Sequence, residues 1–382
     1  MPLSRVAVGA LAIFFLGVSA LLAGVTADAK PLAAPDGPAA LALPVPSSPA
    51  GVGKAASAAN TGDPKPAASP ADAGADHPMR AFPAKLPMSG LALSKLAPDL
   101  CLYRYRVSTR SPECQAFVDQ GFGYFYSYVW MEAARSFETA IQYDPDCAMA
   151  WWGLSRSLEK WGKSETVKAL LKAGELRDKA GHREQQLILA RMQEKGLVPG
   201  VGDADARKNA AIATIDNMLA VYDDDEEAWF YRAHLACGDL DFGGDVRAVP
   251  YYKALIRVNP LNPGANHELL HFYETFRRPA LGWINAENYI KSSPGIPHPF
   301  HMQAHLATRL GRWDKTADRS AHAIELERAY HKDMGVRPAD DQQFSHHLEI
   351  LLISLTHDGR FVAPAPQCRL APRLHPIGAV AP

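Results

Sequence analysis

The sequence predicts an all-α protein: a right-handed superhelical solenoid of helical hairpins, preceded by an Ala/Pro-rich segment with no fold of its own. Three observations predict it. From about residue 111 to about residue 362 the apolar residues recur with helical spacing, and the breaks are Gly- and Pro-containing turns. The pattern repeats: Trp151, Leu154 and Leu158 stand 34 residues after Phe117, Gln120 and Tyr124. The same interval separates one histidine pair, His267 and His271, from a second, His301 and His305.

A helix–turn–helix unit of that length cannot bury its apolar face alone and is stable only when stacked on copies of itself, the logic of a tetratricopeptide (TPR) repeat. Ala133, Phe137, Ala140 and Pro145 fall where such a unit needs small residues at helix crossings, a large one between them, and a turn.

In chain order, Met1–Ala29 reads as a secretory signal. One arginine precedes an apolar run from Val6 to Val25, and Ala27-Asp28-Ala29 offers a small-x-small cleavage site. The alternative is an uncleaved anchor, because about 20 apolar residues span a bilayer. The expected localisation is therefore exported: periplasm, cell envelope or outside. Residues 30–96, rich in Ala, Pro, Gly and Ser, read as a flexible linker that buries too little apolar surface to offset its ordering entropy. The repeat domain is expected over 97–362 and a disordered tail over 363–382.

Within the repeat domain, residues 101–110 read as an extended lead-in. Ser111-Pro112-Glu113 is a helix start. Helical patterns follow over 165–179, 183–195, 205–222, 229–236 and 249–258, with a loop at 238–244. The acidic run Asp223 to Glu227 reads as helix-start carboxylates. Asn262-Pro263-Gly264 opens the helix of the first histidine pair, and a partner helix is expected over about 280–290. Ser293-Pro294-Gly295 turns into the helix of the second pair, and the last unit covers 344–356. Gly359 stands 48 residues after Gly311 rather than 34, so the last repeat carries an insertion of 14.

A net charge of −1 leaves no electrostatic footprint for nucleic acid. Export permits disulfides, and of the five cysteines Cys101 and Cys114 form the candidate pair. Eleven of the 14 histidines lie between His234 and His357, a skew that calls for a chemical reason.

The runs Phe117 to Gly121, Glu132 to Phe137, Asp144 to Gly153, His301 to His305 and Leu310 to Asp314 resemble a family of bacterial exported TPR proteins, over about residues 110–362. The resemblance implies an all-α superhelix and no established activity. The wider TPR class binds peptides or proteins in a concave groove lined by the first helix of each repeat. Carried over by register, that rule puts His298, His301 and His305 on the groove face, with His267, His271 and Glu274 beside them. It adds His234, His346 and Glu349 on weaker alignments, and Arg309 nearby.

Three functions are therefore open. The first is a non-enzymatic scaffold taking a peptide or protein partner in a groove lined by His234, His267, His271, His298, His301, His305, Arg309 and Glu349. The second is a divalent transition-metal site of Zn, Cu or Ni on His267, His271, His301 and His305, with His298, Glu274 and His346 as further candidates. Histidines four apart share a helix face, and neighbouring helices about 8–10 Å apart let two pairs converge. The third is a protease, since His267-Glu268-Leu269-Leu270-His271 matches HExxH. Here Glu274 and Arg277 stand where a metzincin has its glycine and third histidine, leaving Glu287 as the conceivable third ligand.

Overall fold

The computed structural model describes residues 82–237 and 245–360 of the chain, all within one compact unit that spans Asp76–Pro382. The leader, the linker up to residue 81, the loop 238–244 and the tail from 361 lie outside the described residues.

Among the described residues the fold is all-α, with thirteen α-helices and no strand. They run as α1 (Pro112–Phe125), α2 (Trp130–Tyr143), α3 (Ala148–Lys160), α4 (Thr166–Glu175), α5 (His182–Glu194), α6 (Ala204–Val221) and α7 (Glu226–Ala236). Then come α8 (Val249–Val258), α9 (Pro263–Thr275), α10 (Trp283–Ser292), α11 (Pro297–Arg309), α12 (Trp313–Met334) and α13 (Gln342–His357). Each helix packs on the next, and alternate helices touch in α1–α3, α9–α11 and α11–α13, as stacked hairpins require. Helices α9 and α11 are both 13 residues long, and their first residues stand 34 apart. Among the described residues no helix is long and apolar enough to cross a membrane.

The helix starts follow from local chemistry. Ser111 Oγ accepts from Cys114 N at 3.1 Å, with Pro112 in the first turn of α1. Asp225 Oδ1 accepts from Ala228 N at 2.9 Å and opens α7, which accounts for the acidic run. Asn262 Oδ1 accepts from Ala265 N at 2.9 Å and opens α9. At the end of α11 the chain reverses through Gly311 at φ +68, a left-handed turn that a side chain would strain. Helix α12 runs 22 residues and takes up part of the extra length before the last repeat. Phe137 is the keystone of the first two hairpins. A Cβ on Gly153 would stand 2.4 Å from its ring and one on Gly121 2.9 Å, so only glycine lets α1 and α3 close on it.

Two expectations are corrected. Residues 82–96, assigned to the linker, are a strap packed on α1 and α2. Leu86 is buried, Ser89 N donates to Glu138 Oε2 at 2.8 Å, and Ser94 N donates to Thr139 Oγ1 at 2.9 Å. Polar side chains of the helices satisfy its backbone, so its low apolar content does not set it free. Cys101 and Cys114 are free thiols rather than a pair; Cys101 Sγ lies 3.3 Å from Ser293 Oγ.

The strap and the first hairpin also reach the later repeats. Leu102 N donates to Ser292 O at 2.6 Å, Gly295 N to Leu100 O at 3.1 Å, and Tyr330 Oη to Glu132 Oε1 at 2.7 Å. The turn after α1, residues 126–128, is held by its own long-range bonds: Tyr128 Oη donates to Glu268 Oε1 on α9 at 2.7 Å, and Tyr289 Oη on α10 donates to Ser127 Oγ at 2.8 Å.

Candidate metal centre

The histidines gather where α9, α11 and α13 meet that turn. They do so in two groups, His267 with His271 and His298, and His301 with His305 and His346; within each, one nitrogen from every ring lies within 4.8 Å of the others.

In the first group His267 is fully buried. Its Nδ1–H donates to the Tyr126 carbonyl at 2.7 Å, which fixes the tautomer and leaves a lone pair on Nε2. Two further Nε2 atoms face that lone pair, from His271 at 2.9 Å and from His298 at 3.0 Å. One of them can donate a proton to it, but not both. His298 Nδ1 stands 3.2 Å from Gln343 Oε1, so its own N–H points there and its Nε2 also carries a lone pair. With His271 donating its Nε2–H to His267, the His298 and His267 lone pairs are left facing each other at 3.0 Å, an arrangement that a cation among the three nitrogens relieves. Tetrahedral zinc with Zn–N distances of 2.0–2.1 Å spaces its ligands about 3.3 Å apart, against 2.9 and 3.0 Å for the two distances to His267 and at most 4.8 Å between His271 and His298.

Burial, followed by the charges of His298 and His271, holds His267 well below the usual histidine range. Burial likewise pushes His298 well down and His271 down to about 4. All three are therefore neutral at pH 7, the form a metal needs.

Tyr128 covers this group. It has φ +58, a left-handed conformation that costs an aromatic residue about 1–3 kcal/mol. Its ring lies 4.3 Å from His267 and stacks on His271 at 5.7 Å.

In the second group His305 Nδ1–H donates to Glu274 Oε1 at 3.1 Å, and Arg309 Nε reaches the same oxygen at 3.2 Å. Burial alone would raise Glu274; the hydrogen bond and charge of His305, with Arg309 and His271, outweigh it and bring the carboxyl down to about 2. The pairing turns His305 Nε2 toward His301 Nε2, 2.9 Å away. A carboxylate behind a histidine is the arrangement that orients metal ligands. His301 Nδ1 is buried without a hydrogen-bond partner, and burial holds that ring well below its usual range. The His301 and His305 side chains pack against His346, with ring centroids 4.9 and 5.7 Å apart. This group reaches solvent, because the His305 and His346 side chains are 26% and 34% exposed.

Other predicted residues fall elsewhere. His234 lies on α7, 3.5 Å from Glu194, apart from both groups. Arg309 is exposed beside Glu274, and Glu349 is exposed with an oxygen 3.6 Å from His346 Nδ1. The tetrad His267, His271, His301 and His305 is not one cluster: α11 lends His298 to the first pair, and α13 lends His346 to the second. Glu268 takes the Tyr128 hydroxyl at 2.7 Å, and Glu287 takes Trp283 Nε1 at 3.0 Å.

Sequence reasoning missed His347, the Tyr126 carbonyl, Tyr128 and Gln343. The doublet His346-His347 carried a signal for the first. His347 is buried with its ring 4.4 Å from His301, and burial pushes it down to about 4.

Fold and site together define a helical-repeat scaffold with two histidine triads. No protein-family model matches the chain, and no curated protein matches it. Solved structures that it resembles include MamA, residue 41 to the end, from Desulfovibrio magneticus RS-1. That match has 12% identity and TM-score 0.31, over 48% of this chain and 99% of that one. PilW, titled a widely conserved type IV pilus biogenesis factor, matches at 16% identity and TM-score 0.32, over 55% and 92%. The human IFIT1 dimer with PPP-AAAA matches at 13% and 0.36, over 64% and 60%. Superpositions this loose carry nothing about function, and the all-α fold rests on the chain's own helices.

Proposed function

We propose that the protein is a helical-repeat scaffold that holds transition-metal ions, one in each histidine triad. The observation that supports this reading best is the convergence of the His271 and His298 Nε2 atoms on the lone pair of His267 Nε2. Imidazole ligands suit zinc, copper or nickel. Three histidines leave a fourth coordination position for water or another ligand.

The reading in which these histidines line a groove for a peptide or protein partner is weaker at this site. His267, His298 and His301 present almost no surface, and their ring nitrogens face one another. Of the groove candidates, Arg309 and Glu349 alone are well exposed. A protease reading is disfavoured for the same reason: a peptide carbonyl would have to reach an ion beside the fully buried His267.

The test is metal stoichiometry on the full chain without a polyhistidine tag, stripped with chelator and titrated with zinc and with copper. Two equivalents are expected, with a rise in Tm on loading. His298→Ala should remove one and His346→Ala the other. Less than about a tenth of an equivalent of either metal, with no thermal shift, would sink the proposal.

A further inference from the structure

A cavity of about 200 Å³ opens between the α1–α2 turn, the start of α11 and the facing ends of α12 and α13. It is separate from both triads, although Tyr128 and Gln343 border it and the first triad alike. Its walls carry five aromatic side chains: Tyr124, Tyr128, Trp130, Trp161 and Tyr330. A dry cavity of about 150 Å³ is enough for a benzene-sized guest, so this one takes a compact organic group.

The polar lining is one-sided. Glu327 and Asp341 contribute carboxyls, and no Lys, Arg or His lines the cavity among the described residues, although Lys163 Nζ stands 4.0 Å over the Trp161 ring. Asp341 is already engaged by His331 Nε2 at 2.9 Å and by Gln343 N at 3.0 Å. Glu327 is different. It is 2% exposed, and its Oε2 has no hydrogen-bond partner, although His347 Nδ1 lies 2.9 Å away outside hydrogen-bond alignment. An unsatisfied buried carboxyl oxygen is costly, and native structures keep few of them. Burial and then Asp341 push this carboxyl up to about 9, with His331 pulling the other way, so the cavity by itself holds a neutral acid that an entering cation converts to its carboxylate.

Aromatic faces carry negative quadrupole potential and attract cations that are weakly hydrated. A hydrated metal ion gains little from such walls; an alkylated ammonium gains from both walls and carboxyl. We propose that this cavity is a binding site for a small organic ammonium ion, seated against the aromatic walls with its charge on Glu327. The proposal does not rest on the metal reading, because its charge partner Glu327 is no triad ligand, although the Tyr128 wall also covers the first triad.

The experiment uses choline and its uncharged isostere 3,3-dimethyl-1-butanol as probes on the full chain, read by calorimetry and by the fluorescence of Trp130 and Trp161. Choline is expected to saturate one site and to bind about tenfold or more tighter than the neutral isostere. Glu327→Gln should lose about tenfold in choline affinity while circular dichroism and metal stoichiometry stay unchanged. Trp161→Leu, at a half-buried wall, should weaken choline without touching the carboxyl, and it serves if the Glu327 variant fails to fold. The absence of saturable choline binding, or equal binding of the neutral isostere, overturns the proposal.

Discussion

His305 donates its Nδ1 proton to Glu274, 3.1 Å away, and thereby turns Nε2 toward His301. Glu274 lies on α9 and His305 on α11, so one repeat orients the ligand of the next. Replacing Glu274 by Gln keeps the shape and removes the charge. Metal affinity of the second triad should fall by about 10–100-fold, with the first triad unaffected. Chelator competition in a His298→Ala background isolates the second triad, and an unchanged affinity there would show that Glu274 does not orient His305.

Gly264 sits where α9 begins, and a Cβ there would stand 2.6 Å from both Phe230 and Tyr126. Gly264→Ala should cost about 1–3 kcal/mol by overpacking, measured by urea unfolding. It should also weaken zinc at the first triad, because Tyr126 supplies the carbonyl that fixes His267. A loss of stability with intact zinc affinity would mean that the Tyr126 carbonyl is dispensable.

Glu227 gives a pH dependence of stated sign. It is fully buried, with Tyr103 Oη at 2.8 Å, the Tyr126 hydroxyl in contact and Arg156 Nη1 at 3.2 Å. Burial raises its carboxyl to about 7, against the lowering by Arg156 and the two phenols; Asp225 adds to the rise. The folded state therefore keeps this proton to a higher pH than the unfolded chain does. The stabilisation is complete below about pH 4.5 and is lost as pH rises toward 7, at about 1.4 kcal/mol per pH unit. Unfolding free energies of wild type and Glu227→Gln, measured from pH 4.5 to 8, should diverge with that slope. Parallel curves would contradict it.

The HExxH segment should not cleave peptides. Glu268 accepts the Tyr128 hydroxyl, and Tyr128 covers His267 and His271. Zinc-loaded protein incubated with casein and with a fluorogenic peptide library is expected to show no turnover. Turnover that Glu268→Gln abolishes would restore the protease reading.

Much of this protein is local and was legible in its residues. Ser111-Pro112, Asp225 and Asn262-Pro263 act within one helical turn and set the starts of α1, α7 and α9. Histidines four apart must share a helix face, and the interval of 34 residues must recur as stacked hairpins. The all-α fold and the concentration of histidine on α9 and α11 follow from the sequence for that reason. The grouping of those histidines did not. It depends on how far α13 leans onto α11 and on where the chain folds back, and packing between distant segments decides both. Tyr126 meets His267 across 141 positions, and His298 finds His267 rather than the second pair of its own helix. No local pattern encodes such distances. The sequence determined that the histidines would share a face; tertiary packing decided that they group as two triads, the first largely buried and the second reaching solvent through His305 and His346.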